Sequence, residues 1–326
     1  MKTLPFLLRT FAASALLFSS LLRADDQAPA GVLTFIRATD HADKKTSAQT
    51  LCAEFRLADG RGPSVWLIGV AHFGTAEYYQ AIQQRLDQQS VVLYEGIGME
   101  DVKSGPGQAK HEAGIQAGLA KALGLVFQLD AIDYRRPHFI NSDIKAETIA
   151  SQIKEKSAAT GDGKSAATFG LLMNSLRGTG EIGTMLNTFV ATLGKSPEMQ
   201  ETTKTMLIEV LAHSDELMGL AQGASPAMKD LFAVLLAERN AVVLGDLRKQ
   251  LAQRKEGESV AIFYGAAHMP ELAQRLRDEL HYVPVIQEWE TAFTADPAKG
   301  GINPAQIRLL LELAKTQLQA APPAGK

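Results

Sequence analysis

Two stretches of this chain end alike. Val65-Trp66-Leu67-Ile68-Gly69-Val70-Ala71-His72 and Val260-Ala261-Ile262-Phe263-Tyr264-Gly265-Ala266-Ala267-His268 are apolar runs that close on Gly-x-x-His, and each leads directly into a segment with helical apolar spacing. A histidine at the carboxyl end of a core strand points into the crevice where open α/β sheets bind ligands. Small residues at 69, 71, 265, 266 and 267 leave space around each imidazole. Glu95 forms a third such tip, ending the run Val91–Tyr94 and preceding Gly96. A carboxylate at that position is costly unless it is paired, protonated or bound to a cation. Two imidazoles and one carboxylate can hold a divalent metal while leaving positions for water and substrate. Glu95 could instead serve as the general base.

Other chemistries have less support. A single cysteine, Cys52, rules out an internal disulfide framework and any Cys-rich zinc or iron–sulfur site. Gly178-Thr179-Gly180-Glu181-Ile182-Gly183 matches G-x-G-x-x-G, but Phe169–Arg177 before it reads as a helix, where a dinucleotide fingerprint needs a strand. Gly163-Lys164-Ser165 has Ala158 where a P-loop needs its first glycine, and His111-Glu112 has Ile115 where a zincin needs its second histidine. No G-x-S-x-G elbow occurs. With 33 Lys+Arg against 36 Asp+Glu and a net charge of −3, the chain is not a basic nucleic-acid binder. An apolar fraction of 46% over 326 residues suffices for a substantial core.

The elements that must position these residues can be read around them. Lys2 and Arg9 precede the apolar run Phe11–Leu22, which predicts a signal peptide cleaved after Ala24, or as late as Ala30, and hence a periplasmic or secreted protein. A membrane would be met only through that segment if it stayed uncleaved. Val32–Arg37, Leu51–Leu57, Ser64–Val70 and Val91–Tyr94 read as strands, with a helix from Thr75 carrying Tyr79, Ile82 and Leu86 on one face. A helix over Lys110–Leu123 and a strand at Ala131–Tyr134 follow. From about 145 to 238 strand signals vanish, and helical runs alternate with glycine-rich breakers, which predicts a helical insertion. A long helix from Pro226 to Arg254 then feeds Val260–Tyr264, Pro270 opens another helix, and Tyr282–Ile286 is a last strand. Beyond the domain at 31–293, Asn303-Pro304 opens a C-terminal helix whose apolar face is Ile307, Leu310, Leu311, Ala314 and Leu318, with a disordered tail from Gln319. The expected class is α/β, with a mixed, mostly parallel central sheet flanked by helices.

The paired Gly-x-x-His segments, Glu95 and Glu238-Arg239-Asn240 resemble the TraB/PrgY/GumN family, related to the Tiki proteins, over about residues 32–293. Asp143, in Asn141-Ser142-Asp143-Ile144, looks like that family's acidic position after the middle strand; as a residue opening a helix it reads equally as an N-cap. The resemblance implies a mixed α/β sheet and, for Tiki-type members, metal-dependent proteolysis with manganese or cobalt; the bare residue set also admits zinc. Other members are implicated in binding or inhibiting peptide pheromones, and neighbouring families include erythromycin esterases and haem-binding lipoproteins. The chain departs from the family after His268, reading Met269-Pro270-Glu271 where a glycine is usual.

The leading expectation is an exported metal-dependent hydrolase acting on a peptide or small-molecule substrate. His72, His268 and Glu95 would hold the ion, Arg239 would orient Glu95 or stabilise developing negative charge, and Asp143 would stand beside them. The alternatives are a metal-free, esterase-type hydrolase, or a non-catalytic protein that binds a peptide or haem in the same pocket.

Overall fold

The computed structural model describes residues 33–96, 115–160, 178–224 and 226–320, with a few isolated positions between 167 and 174. The signal-peptide segment, the start of the 110–123 helix and the last six residues lie outside these. Among the described residues, no helix is long and apolar enough to cross a membrane.

The chain adopts the mixed α/β architecture expected. Strands β1 (Ile36–Asp40), β2 (Thr46–Leu57), β3 (Ser64–Val70), β5 (Val91–Tyr94), β7 (Phe139–Asn141), β8 (Ser259–Gly265) and β9 (Tyr282–Ala295) form one seven-stranded sheet. On one side β1, β3 and β9 all run antiparallel to β2. On the other, β3, β8, β5 and β7 lie side by side and parallel. A two-residue strand β4 (Phe73–Gly74) pairs with β6 (Val126–Phe127) outside this sheet.

The parallel strands are apolar at nearly every position because both faces are covered. Val65, Leu67, Val91, Leu93, Val260, Ile262 and Tyr264 face one core. There they meet Val243, Leu244 and Leu247 of a helix spanning Arg239–Leu251, and Leu272 and Leu276 of one spanning Met269–Leu280. The alternate residues Ile68, Val70, Val92, Tyr94, Ala261 and Phe263 face the other core. It is closed by Tyr78, Tyr79, Ile82 and Leu86 of α1 (Ala76–Asp87), whose first turn is capped by Thr75. Numbering in chain order, α2 is Ile115–Ala122 and α3 Gln128–Ala131. The region between β7 and β8 carries α4 (Ala146–Thr160), α5 (Gly180–Leu193), α6 (Pro197–Ala212), α7 (Ser214–Ala224) and α8 (Pro226–Phe232). No strand occurs there among the described residues. The two core helices just named are α9 and α10, with α11 (Pro297–Gly300) and α12 (Pro304–Ala320) at the end.

Several boundaries differ from the sequence reading, each for a local reason. Ala131–Tyr134 is not a strand: α3 ends at Ala131, and Ile132 and Tyr134 fill the core as connecting residues. The strand beside β5 is instead β7, a run too short to show alternation. The long helix from Pro226 is interrupted by a π-helical stretch at Ala233–Glu238 and ends at Leu251. The first strand is Ile36–Asp40, because its ladder with β2 begins at Ile36 opposite Thr50; Val32, read as its start, lies outside the described residues. The last strand continues to Ala295, because its pairing with β2 runs on through a polar middle, so the domain boundary at 293 falls inside it. The helix after Asp143 starts at Ala146. In α12, Ile307 and Leu311 are buried but Leu310 is exposed, and the helix includes Gln319, read as disordered tail.

Candidate functional site

Because β8 sits between β3 and β5, and all run the same way, their carboxyl ends finish side by side. Val70 is level with Gly265, and Tyr94 is level with both Phe263 and Asn141. The residues that follow these tips (His72, Glu95, Asp143, His268) therefore converge, and Arg239 reaches them from the start of α9. The structure brings all five sequence-derived candidates together.

Glu95 is the hub. Its N–H donates to Phe263 O at 3.0 Å, which fixes it against β8. Oε1 accepts from Arg239 Nη2 at 2.7 Å, and Oε2 accepts from the Gly265 N–H at 2.7 Å. Burial by itself would raise this carboxyl, but His268, Arg239, His72 and the Gly265 amide hold it well below the usual carboxylate range. Burial pushes His268 down to about 4, so at neutral pH the cation that keeps Glu95 ionised is Arg239.

Arg239, only 4% exposed, spends all five N–H donors on the protein. Nε and Nη2 grip Asp143 Oδ1 and Oδ2 at 2.9 and 2.7 Å, a bidentate pair. Nη2 also reaches Glu95, while Nη1 donates to Leu235 O and to His268 Nε2, both at 3.2 Å. The Leu235 carbonyl lies within the π-helical stretch. Arg239 thus orients Glu95 and has no donor left for a substrate. Asp143 also accepts from the N–H groups of Gly96 and Ile144, so beyond its local turn it ties β5 to α9.

The two histidines differ. His268 is buried, and since Arg239 can only donate, its Nε2 must accept; the ring proton lies on Nδ1 and goes to Asn240 Oδ1 at 2.7 Å. Asn240 is held in turn by His268 O and by Glu271 Oε2. Glu271 therefore braces Asn240, the partner of His268. His72 is exposed, yet its backbone is pinned. Tyr78 OH accepts from the Ala71 N–H, Tyr79 OH donates to Ala71 O, and the Gln128 N–H donates to His72 O. Its Nδ1 meets Gln128 Oε1 at 3.0 Å, and among the described residues no side chain occupies Nε2.

No family model matches the chain, and no curated protein or solved structure matches it either.

Nε2 of His72 and Oε2 of Glu95 flank one small space over Gly265. A methyl group on Gly265 would stand 3.3 Å from Glu95 Oε2 and 3.5 Å from His72 Nε2, so glycine keeps that space open. Two members of the donor set thus suit a divalent ion: His72 Nε2 and Glu95 Oε2. The third, His268 Nε2, lies 3.7 Å from Glu95 Oε1 but has its lone pair on Arg239. Among the described residues, no group of three or more His, Cys, Asp or Glu is gathered as a ready cation site. Nothing in the sequence points to Gln128, and Asn240 enters it only within Glu238-Arg239-Asn240 with no role of its own, because a lone amide side chain carries no charge or periodicity to mark it.

Proposed function

We propose that this chain is an exported hydrolase belonging with the TraB/PrgY/GumN proteins, and that it activates water in the space between His72 and Glu95. One observation supports this above the others: an exposed, backbone-pinned imidazole presents an unoccupied Nε2 beside an ionised carboxylate that the fold has made costly to bury. Water held there would pass a proton to His72 as its oxygen attacks a carbonyl carbon, and Glu95 would stabilise the imidazolium that forms. Arg239 and Asp143 keep Glu95 ionised and in place. The substrate class is an ester or amide, in a peptide or small molecule.

A second reading has its own support. Glu95 and Asp143 bring two carboxylates against one guanidinium, which favours a further cation. A divalent ion (manganese, cobalt or zinc) would take His72 and Glu95, recruit His268 only by displacing Arg239, and lower the pKa of its bound water.

The test is hydrolysis of a panel of peptides and esters by the mature chain, with and without a chelator. His72→Ala and Glu95→Gln should each lower kcat by about 10²- to 10⁴-fold while leaving circular dichroism unchanged. Activity that survives chelation fits water activation by His72 directly, and activity lost to the chelator but restored by manganese or cobalt assigns the ion. Saturable peptide or haem binding without product would make the chain a binding protein. Full activity in His72→Ala would remove the crevice from consideration.

A further inference from the structure

We propose that Gln128 is the positioning residue that decides which nitrogen of His72 faces the crevice, by holding the ring proton on Nδ1 so that Nε2 is presented as a lone pair. Backbone register makes the two side chains meet. In the β4–β6 ribbon Phe73 pairs with Phe127 and Gly74 with Val126, so the next step of the antiparallel ladder sets residue 72 opposite residue 128. The Gln128 N–H duly donates to His72 O at 2.9 Å. Residues directly opposite in an antiparallel pair project to the same face, so the imidazole and the amide are neighbours before either selects a rotamer.

Gln128 then has little freedom. It is buried, its Oε1 lies 3.0 Å from His72 Nδ1, and its Nε2 donates to Tyr134 OH at 2.9 Å. Tyr134 is itself locked, with ring centroids 5.0 Å from Tyr94 and 6.3 Å from Phe263. With the amide nitrogen committed to Tyr134, the oxygen is what His72 meets, and an acceptor there requires a proton on Nδ1.

His268 supplies an internal comparison. Its tautomer is fixed from the other side by Arg239, and its Nδ1 also rests on a side-chain amide oxygen, that of Asn240. Both imidazoles are thus held through Nδ1 by an uncharged partner that adds no charge to a crevice already rich in carboxylates. They differ at Nε2, which Arg239 occupies in His268 and which is open in His72.

The kinetic part of this inference rests on the hydrolase reading; the tautomer does not, and the experiment separates them. Nitrogen-15 spectra of the full chain labelled at histidine, with His72 assigned by its loss in His72→Ala, report which ring nitrogen is protonated in alkaline buffer. Wild type should show Nδ1 protonated. Gln128→Leu should abolish that preference, and Gln128→Glu, which still accepts at Nδ1, should restore it. With the best ester or peptide of the panel, Gln128→Leu should lower kcat about 10- to 100-fold with KM within about twofold, the usual range for a residue that orients another. A wild-type ring protonated on Nε2, as the reversed amide would give, or an unchanged tautomer in Gln128→Leu, overturns the proposal even if the chain is a hydrolase. The expected tautomers in a chain that turns over nothing uphold it, and the hydrolase reading alone fails.

Discussion

Replacing Arg239 by methionine tests how the site is held together. Methionine keeps roughly the volume of the arginine stem but removes the cation that Glu95 and Asp143 share. Arg239 is 4% exposed and the Asp143 side chain 1%, so the carboxylates left behind gain little from solvent. Removing one partner of such a buried set costs about 3–5 kcal/mol, mostly as the penalty of the uncompensated charges. At a urea m-value of about 3 kcal/mol/M, the unfolding midpoint at pH 7 should fall by about 1 M or more. Arg239→Lys, which keeps the charge but loses the planar fork on Asp143, should lie between wild type and Arg239→Met. In the double variant Arg239→Met/Asp143→Asn, one stranded charge is gone, and about 1–3 kcal/mol should return as coupling energy. The reasoning fails if Arg239→Met loses less than about 1 kcal/mol, or if Asp143→Asn gives no relief.

Two further predictions follow from buried titratable groups. His268 is neutral in the fold with its pKa pushed from 6.5 down to about 4, so between those values the unfolded chain binds the extra proton and stability falls as pH falls. The loss over that window should approach about 3 kcal/mol, at 1.36 kcal/mol per pKa unit. Urea midpoints measured from pH 7 to 4 should show it, and a His268→Gln variant with an equally steep dependence would refute the assignment to His268. Burial pushes the Cys52 thiol up to about 12, so thiol reagents should leave the native protein unlabelled and modify it fully in denaturant. Rapid labelling of native protein would mean that β2 is not packed as described.

Sequence and structure agree best where one side chain answers to one strand. Val65–Val70, Val91–Tyr94 and Val260–Tyr264 are apolar at nearly every position because they are buried on both faces, and that texture marked them as core strands with His72, Glu95 and His268 at their tips. Asp143 and Arg239 were found through a resemblance and not a pattern, and β7, which carries the chain to Asp143, is too short to read. Arg239 has few chain-local signals because its partners lie 96 and 144 residues away. The same distance effect hid Gln128, whose tie to His72 exists only once β4 and β6 pair. The edge strand β9 reads short in sequence because its middle, Gln287 to Thr291, carries polar residues on both sides of a half-buried Trp289 and is kept extended by its long pairing with β2.

The placement of β8 between β3 and β5 also governs when the crevice can exist at all. Until residues 259–265 have been made, β3 and β5 lack the neighbour that lies between them, and a nascent or truncated chain ending before 259 lacks β9 as well, so β2, β3 and β5 each carry an open edge. Unpaired strand edges favour aggregation in general, and such a fragment lacks both the β8 floor of the crevice and His268. The crevice is complete only with residues 259–268, which seat β8 between its two neighbours and bring His268 to Arg239 and Asn240.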